Sequence, residues 1–327
     1  MQGTYKALES YKTETGNSLR LVKKEISDLP EGDLLVKVQY SSLNYKDAMS
    51  AKGFPGVTKN YPHTPGVDAV GTVIGDKSNT FTEGDEVIVT GFDLGVNTAG
   101  GFGEYIRVPS NWAIRLPTGL SAKDSMILGT AGLTAGLSIR ALDSFRGITN
   151  TKSIVSGSTG GVGSVAVKLL SHLGSQVTAI SGKNSQHKLL KSLGAEEILS
   201  RENFQENVRK PLGKGVWDIG VDVVGGEILS TMLAAINPAG AVACSGLVGG
   251  AQFESSVFPF ILRGIALLGI ESVSTSLEQR EIIWEHFASD WSISLNDLVK
   301  EVDLENLKTE IDLIIDGNQV GRVLVKI

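Results

Sequence analysis

A single cysteine, Cys244, stands in 327 residues. One thiol excludes an internal disulfide and any multi-cysteine zinc or iron–sulfur site. An excess of positive charge is missing as well: 30 Lys+Arg face 36 Asp+Glu, a net charge of −6. That balance argues against nucleic acid as a partner, because phosphate backbones are held by clustered positive charge. No low-complexity tract occurs, and 41% hydrophobic with 20% charged residues excludes global disorder. Met1 to Ser10 lacks the apolar core of a secretory signal. No uninterrupted run of about 18 apolar residues is found. The nearest, Val257 to Ile270, is broken by Pro259 and Arg263. These absences predict a soluble, cytoplasmic, metal-free protein with no membrane partner. Glycine, by contrast, is abundant at 39 residues, which points to tight turns and close backbone approaches.

The length suits about two domains of ~150 residues each. The first part, to about residue 125, reads as β-strands and turns. Leu34–Tyr40, Ala69–Ile74 and Glu86–Val89 are β-rich and punctuated by Gly and Pro. From Lys152 the rhythm changes. Ser153–Ser156 is a short apolar strand, glycines follow at 157, 160, 161 and 163, and then apolar residues recur at helical spacing from Val162 to Leu173. Gln176–Ser181 is the next strand and Asn184–Leu193 the next helix. Further strands are expected at Trp217–Val224, Ala241–Leu247 and Ala266–Glu271. Strands alternating with helices imply parallel βαβ units in a doubly wound sheet, an α/β fold. The tail holds a short helix pattern, the turn Asp316-Gly317-Asn318 and the strand Arg322–Ile327, which is expected to return to the β-rich domain. The predicted domains are therefore 1–124 plus 291–327, and 125–290.

The loop Ser158-Thr159-Gly160-Gly161-Val162-Gly163 lies between a strand and a helix. Gly160 lets a pyrophosphate approach the backbone, Gly163 lets the helix pack closely, and the helix start supplies N–H groups to phosphate. Ser158 replaces the first glycine of the dinucleotide fingerprint. An NAD site usually carries an acid about 20 residues past the glycines to bind the ribose 2′-hydroxyl. Here Ser181 stands at that place. No Asp or Glu occurs from Ser164 to Ala195, whereas Lys168, Lys183, Lys188 and Lys191 do. A 2′-phosphate is repelled by an acid and held by a hydroxyl and a lysine. NADP(H) is thus the expected cofactor, with Ser181, Gly182 and Lys183 facing it and Arg201 as a further phosphate ligand. Lys188 and Lys191 read as a solvated helix face. Cys244, inside a strand beside Ala243, reads as a small buried residue rather than a nucleophile.

Five segments together, Ser41-Ser42-Leu43-Asn44-Tyr45-Lys46-Asp47, Pro65–Val73, Gly84–Val87, Gly129–Ala135 and the glycine loop, resemble the medium-chain dehydrogenase/reductase superfamily. The resemblance spans nearly the whole chain. Within the superfamily, "SSLNYKDA", "GTAGLTA", "SGSTGGVGS", "PFILRG" and "GRVLVKI" are similar to the YhdH/YhfP branch, which includes acrylyl-CoA reductases and is often labelled quinone oxidoreductase. The resemblance implies a GroES-like catalytic domain plus a Rossmann NADP-binding domain, with the active site in the cleft between them. It also implies cofactor contacts from Tyr45, Thr130, Thr134, Thr159, Gly160, Gly161, Val162, Gly163, Leu247, Ser272 and Asn318. Asn318 is equally readable as a left-handed turn residue. The sequence departs from zinc-dependent members. Asn44 and Val67 occupy the positions of a cysteine and a histidine ligand, and neither side chain can ligate zinc. His63, nearby, reads as a turn or surface residue.

Without zinc, another group must stabilise the oxyanion formed when hydride adds to a conjugated carbonyl. Tyr45 is the candidate donor, although an aromatic of this kind also suits simple packing. Asn44 is expected to orient substrate or cofactor, with Asp47 beside it in the catalytic set and Asp68 as an anchor. The expected reaction is NADPH-dependent reduction of an activated C=C bond, acrylyl-CoA to propanoyl-CoA. Quinone reduction is the alternative among enzymes, and a non-catalytic NADPH-binding sensor or structural protein is the alternative of another class. The apolar strand Ala266–Ile270 is an edge that needs a partner, and the superfamily pattern implies a homodimer.

Overall fold

The computed structural model describes residues 3–207 and 211–327; Met1 and Gln2 of the N-terminal stretch lie outside the described residues. The chain forms two compact units. One comprises Met1–Thr130, Ser272–Asp290 and Leu298–Ile327, the other Ala131–Glu271 and Trp291–Asp297. Residues 272–290, expected in the second domain, therefore group with the first. A physical reason is Arg280 of helix Leu277–Ala288, which donates to both the carbonyl and the hydroxyl of Thr90.

The second unit is a six-stranded parallel sheet. Its strands are β1 (Lys152–Val155), β2 (Gln176–Ile180), β3 (Ala195–Leu199), β4 (Trp217–Asp222), β5 (Ile236–Cys244) and β6 (Ala266–Gly269). They lie in the order β3-β2-β1-β4-β5-β6, the strand order of dinucleotide-binding sheets. Ile154, Ile180, Phe204, Trp217, Ile228, Met232, Leu233 and Val242 form its core. Strand β3 was not signalled by sequence, because Glu196 and Glu197 interrupt its apolar pattern. Both glutamates are exposed on the sheet edge, where charge guards against further pairing. Strand β5 ends at Cys244, so Gly246 and Leu247 belong to the following loop rather than to the expected strand. The expected helix 184–193 is a 3₁₀ turn, Asn184–Gln186, followed by His187–Ser192.

The first unit pairs a hairpin, Thr4–Thr13 with Gly16–Glu25, and a seven-stranded sheet. The terminal strand Arg322–Lys326 joins that sheet antiparallel to Leu34–Leu43, as expected, and parallel to Val299–Asp303. Leu34–Leu43 also pairs with Asp68–Asp76 and Tyr105–Val108. A helix absent from the β-strand reading, Tyr45–Lys52, follows the central strand directly. Ala48 and Ala51 bury it in a core that also holds Leu307 and Ile311 of helix Leu307–Ile315.

The longest helix, Ala122–Arg146, breaks at Gly129, whose φ of 52° and ψ of −154° are not helical. By length and composition it is apolar enough to cross a membrane, a feature the sequence reading did not register. Within the fold 78% of its most apolar window is buried, the property of a core helix. Val257–Ile270, expected to be broken by Pro259 and Arg263, carries both within helix Phe258–Arg263, Pro259 in its first turn and Arg263 as its last residue, and the left-handed Gly264 ends it.

Candidate active site

In the first unit two distant motifs converge on one carboxylate of a third. Asp68, fully buried, accepts from the Ser42 hydroxyl at 2.5 Å, the Asn44 amide at 2.7 Å and the Thr130 backbone N–H at 2.9 Å, all on Oδ2. The Thr130 hydroxyl donates to Oδ1 at 2.6 Å. Thr130 begins the second leg of the kinked helix, so Asp68 sits at a helix start, where negative charge is favoured. Gly129 makes this possible. A Cβ there would lie 2.3 Å from Ser42 Oγ and 2.6 Å from Asp68 Oδ2. The small residues of Gly129–Gly132 thus admit Asp68 to the helix start, and Thr130 spends its N–H and hydroxyl on that carboxylate.

Asn44 immediately precedes the helix Tyr45–Lys52. Its backbone N–H donates to Asp47 Oδ2 at 2.7 Å, and Asp47 Oδ1 accepts from Val67 N–H at 2.7 Å. Asp47 is wholly buried and spends its oxygens on backbone N–H groups, the part of a structural anchor. Burial, then the neighbouring Asp68 charge, push its carboxyl up to about 7 against the pull of those donors. Arg322, also buried, donates from Nε to Ile127 O at 2.7 Å and from Nη1 to Leu43 O at 3.4 Å. Burial holds its guanidinium below the usual range, while Asp68 and Asp47 act the other way. One buried cation beside two acids leaves one acid without a counter-charge, and Asp47 carries that cost. Tyr45, the first residue of this locked helix, is 41% exposed.

The same contacts decide the fit of zinc. Asn44 is engaged by carboxylates, and Val67 contributes a backbone N–H to Asp47 and an apolar side chain. His63 is buried, not on the surface, with its backbone paired to Ser10. Burial pushes its imidazole pKa down. Among the described residues no group of three or more His, Cys, Asp or Glu is placed to hold a metal ion.

The second unit carries the glycine loop. Gly157, at φ 55°, turns the chain after β1, and Gly160 precedes helix Gly161–His172. A Cβ on Gly163 would fall 2.3 Å from the Gly157 carbonyl oxygen, so the close approach expected of Gly163 is to the loop itself. The first N–H groups of that helix have no intrahelical acceptor. Ser158, in place of the fingerprint's first glycine, is buried, with its hydroxyl donating to Val155 O at 2.8 Å. A depression of about 290 Å³ is lined by Ser156, Gly157, Thr159, Ile180, Ser181, Gly182, Lys183, Arg201, Glu202, Val224 and Ile228. The fold thus brings the glycine loop together with Ser181, Lys183 and Arg201. Ser181 Oγ accepts from Lys183 N–H at 3.0 Å, and desolvation lowers the Lys183 ammonium pKa. Lys188 and Lys191 are exposed.

Asp222, at the end of β4, was not signalled by any motif. It accepts from Ser156 Oγ at 2.7 Å and Gly225 N–H at 2.8 Å, and burial raises its pKa. Cys244 Sγ approaches Asp222 Oδ2 at 3.6 Å, and burial, then the Asp222 charge, push the thiol up to about 11. Such a thiol is no nucleophile. Of the other expected cofactor residues, Thr134 is buried within the long helix, Val162 and Ser272 are half-buried, and Leu247 is 64% exposed in its loop. Asn318 is exposed after helix Leu307–Ile315; the left-handed residue there is Gly317, at φ 69°.

A β-rich unit with a mostly antiparallel sheet, together with a Rossmann-type parallel sheet, defines a two-domain dehydrogenase class. Residues 30–118 match the alcohol dehydrogenase GroES-like domain, and 161–288 match the zinc-binding dehydrogenase family. YhfP of Bacillus subtilis, provisionally named a quinone oxidoreductase, is 40% identical over 331 residues, covering 100% of both chains. Its structure with NAD bound superposes with a TM-score of 0.96 over 99% of this chain and 100% of that one. The acrylyl-CoA reductase AcuI of Ruegeria pomeroyi is 38% identical over 96% of each chain. Escherichia coli YhdH with bound NADPH is 40% identical, with a TM-score of 0.94 over 98% of this chain and 99% of that one. The chain belongs to the medium-chain dehydrogenase/reductase family, in the branch of YhfP and the acrylyl-CoA reductases. It is an oxidoreductase acting on a small molecule.

The buried acid pair gives stability a pH dependence. Between the ordinary carboxylate range near ~4 and about 7, folded Asp47 holds a proton that the unfolded chain has released. Stability therefore falls as pH rises through that window. Asp47→Asn removes this slope. Urea unfolding at pH 5 and pH 8 checks it: the wild type loses more stability between the two than the variant does. Asp222 and His63 titrate in both proteins and cancel in the comparison.

Proposed function

We propose that this protein is an NADPH-dependent reductase of an activated C=C bond, with acrylyl-CoA, an enoyl thioester, as its substrate and propanoyl-CoA as product. The observation that carries this reading is 38% identity to an acrylyl-CoA reductase over 96% of both chains. Ser181, Lys183 and Arg201 offer a hydroxyl and two cations around the depression beside the glycine loop, the donor set that suits a ribose 2′-phosphate. Thr159 to Gly163 face the pyrophosphate at the helix start. Bound NADPH supplies the hydride that reduces the β-carbon. Tyr45 donates a hydrogen bond to the thioester oxygen as enolate charge develops there, and a proton then adds at the α-carbon. Asn44 and Asp47 act through Tyr45, as positioning residues that fix the helix start. Thr130, Thr134, Leu247, Ser272 and Asn318 complete the proposed cofactor contacts. The domain assignment follows: the β-rich unit is catalytic and the parallel sheet binds the cofactor.

Quinone reduction is the second reading, supported by the name of YhfP. NADPH consumption measured side by side with acrylyl-CoA, crotonyl-CoA and a simple quinone separates the two. No turnover with any of them favours a non-catalytic NADPH-binding protein. A second copy of the chain is the proposed partner. Leu247, Val248, Val257, Phe258, Ile261 and Leu262 are all exposed, and β6 is an open sheet edge. A cytoplasmic location fits a lone, uncoupled thiol.

Three outcomes are expected. Replacing Lys183 with Glu erases or reverses a preference for NADPH over NADH of ~10- to 100-fold, the value of one charge-assisted contact; cofactor titration of both proteins measures it. Tyr45→Phe keeps the melting temperature and NADPH affinity while turnover of acrylyl-CoA falls ~10²-fold or more, the usual loss of one oxyanion donor. Near-normal turnover would return Tyr45 to a packing role. Sedimentation at micromolar concentration gives twice the mass of one chain, and a single-chain mass refutes the dimer.

A further inference from the structure

Two strand ends of the second unit meet at the depression beside the glycine loop. Strands β2 and β3 are parallel, with Leu199 opposite Ile180 at their carboxyl ends, and Ser181 N–H donates to Leu199 O at 3.0 Å. Residues 181–183 and 200–202 therefore leave the sheet side by side. The two segments stay close: a Cβ on Gly182 would lie 3.6 Å from Arg201 Nη2. Ser181, Lys183 and Arg201 line the opening, and so does an acid, Glu202. All of these residues belong to the second unit. Glu202 stands in the first turn of helix Arg201–Asn207 and is exposed. Hydrogen bonds from its own N–H and from the Ser200 hydroxyl hold its carboxyl below the ordinary carboxylate range, so it is charged at neutral pH. An acid in a first turn also suits the helix start, but that preference does not put it in the wall of the opening.

NADPH and NADH differ at one place, the 2′ position of the adenosine ribose, which carries a phosphate in the first and a hydroxyl in the second. A carboxylate accepts from the hydroxyl and repels the phosphate. Two cations and a serine hydroxyl attract the phosphate. The acid of an NAD site usually stands at the end of the second strand, where this chain has Ser181. Here an acid enters from the end of the third strand instead. The opening thus holds donors for a phosphate and an acceptor for a hydroxyl. We propose that Glu202 is a specificity-determining residue at the ribose 2′ position, accepting from the 2′-hydroxyl of NADH and opposing the 2′-phosphate of NADPH, so that NADH serves as a secondary cofactor. The proposal rests on the NADPH reading above and deepens it.

Calorimetric titration of wild type, Glu202→Gln and Glu196→Gln with NADPH and with NADH tests it. Glutamine keeps the shape of Glu202 and removes its charge. In Glu202→Gln, NADPH binds ~2- to 5-fold more tightly and NADH ~2- to 5-fold more weakly, the range of one exposed charge contact. Glu196, an exposed acid of β3 that does not line this opening, controls for net charge, and its variant binds both cofactors as wild type does. A helix-start role alone would move the melting temperature and leave the two affinities where they were. Unchanged affinities in Glu202→Gln, shifts of both cofactors in one direction, or the same opposed shifts in Glu196→Gln overturn the role of Glu202. The wild-type ratio judges the NADPH reading separately: a preference for NADH, or binding of neither cofactor, overturns that reading.

Discussion

The carboxylate of Asp68 is the point on which the β-rich unit turns. A buried anion without donors is too costly to keep, so the chain must deliver Ser42, Asn44 and Thr130 to it. Those residues come from the end of the central strand, the start of the helix Tyr45–Lys52 and the kink of the longest helix. Each local peculiarity then has one cause. Position 129 is glycine because a Cβ there would collide with Ser42 and Asp68. Asn44 stands where the family resemblance implies a ligand in zinc-dependent members, and here its amide donates a hydrogen bond to Asp68 instead. Tyr45 is exposed because its helix begins at that anchored point.

The same device recurs in the parallel sheet. Asp222 closes β4 and binds the hydroxyl of Ser156, which in turn accepts from Val223 N–H. This joins the ends of β1 and β4, the two strands at which the sheet's order reverses, and there a ligand crevice forms in open α/β sheets. The glycine loop leaves from that junction. Gly157 and Gly163 allow its two ends to touch, so the helix start is aimed by covalent necessity rather than by a flexible side chain.

Much of this was legible in the sequence. The change from strand-and-turn rhythm to βαβ rhythm near Lys152, the glycine loop and the return of Arg322–Lys326 all follow from periodicity and glycine placement. Ser181 and Lys183 were readable because the position after the second strand is short, polar and free of acid. What escaped notice has physical reasons too. Strand β3 carries glutamates on its open edge, so alternation is lost. The helix Tyr45–Lys52 is only two turns long, with too few apolar residues for a helical stripe. The long helix hides its membrane-like composition behind Thr, Ser and Gly. Leu247 looked like a strand end, because apolar character does not distinguish a buried strand from an exposed loop.

The change from β-rich to βαβ organisation and the kind of cofactor were determined by sequence alone, because periodicity, turn chemistry and loop composition are local properties, and the family by the resemblance of whole motifs. Which polar groups meet was decided only by tertiary structure. Asp47, Asp68, Thr130 and Arg322 are far apart in the chain, and Asp222 and Arg280 belong to no motif. Asp47 anchors backbone because it is buried, and burial is a property of the packed whole.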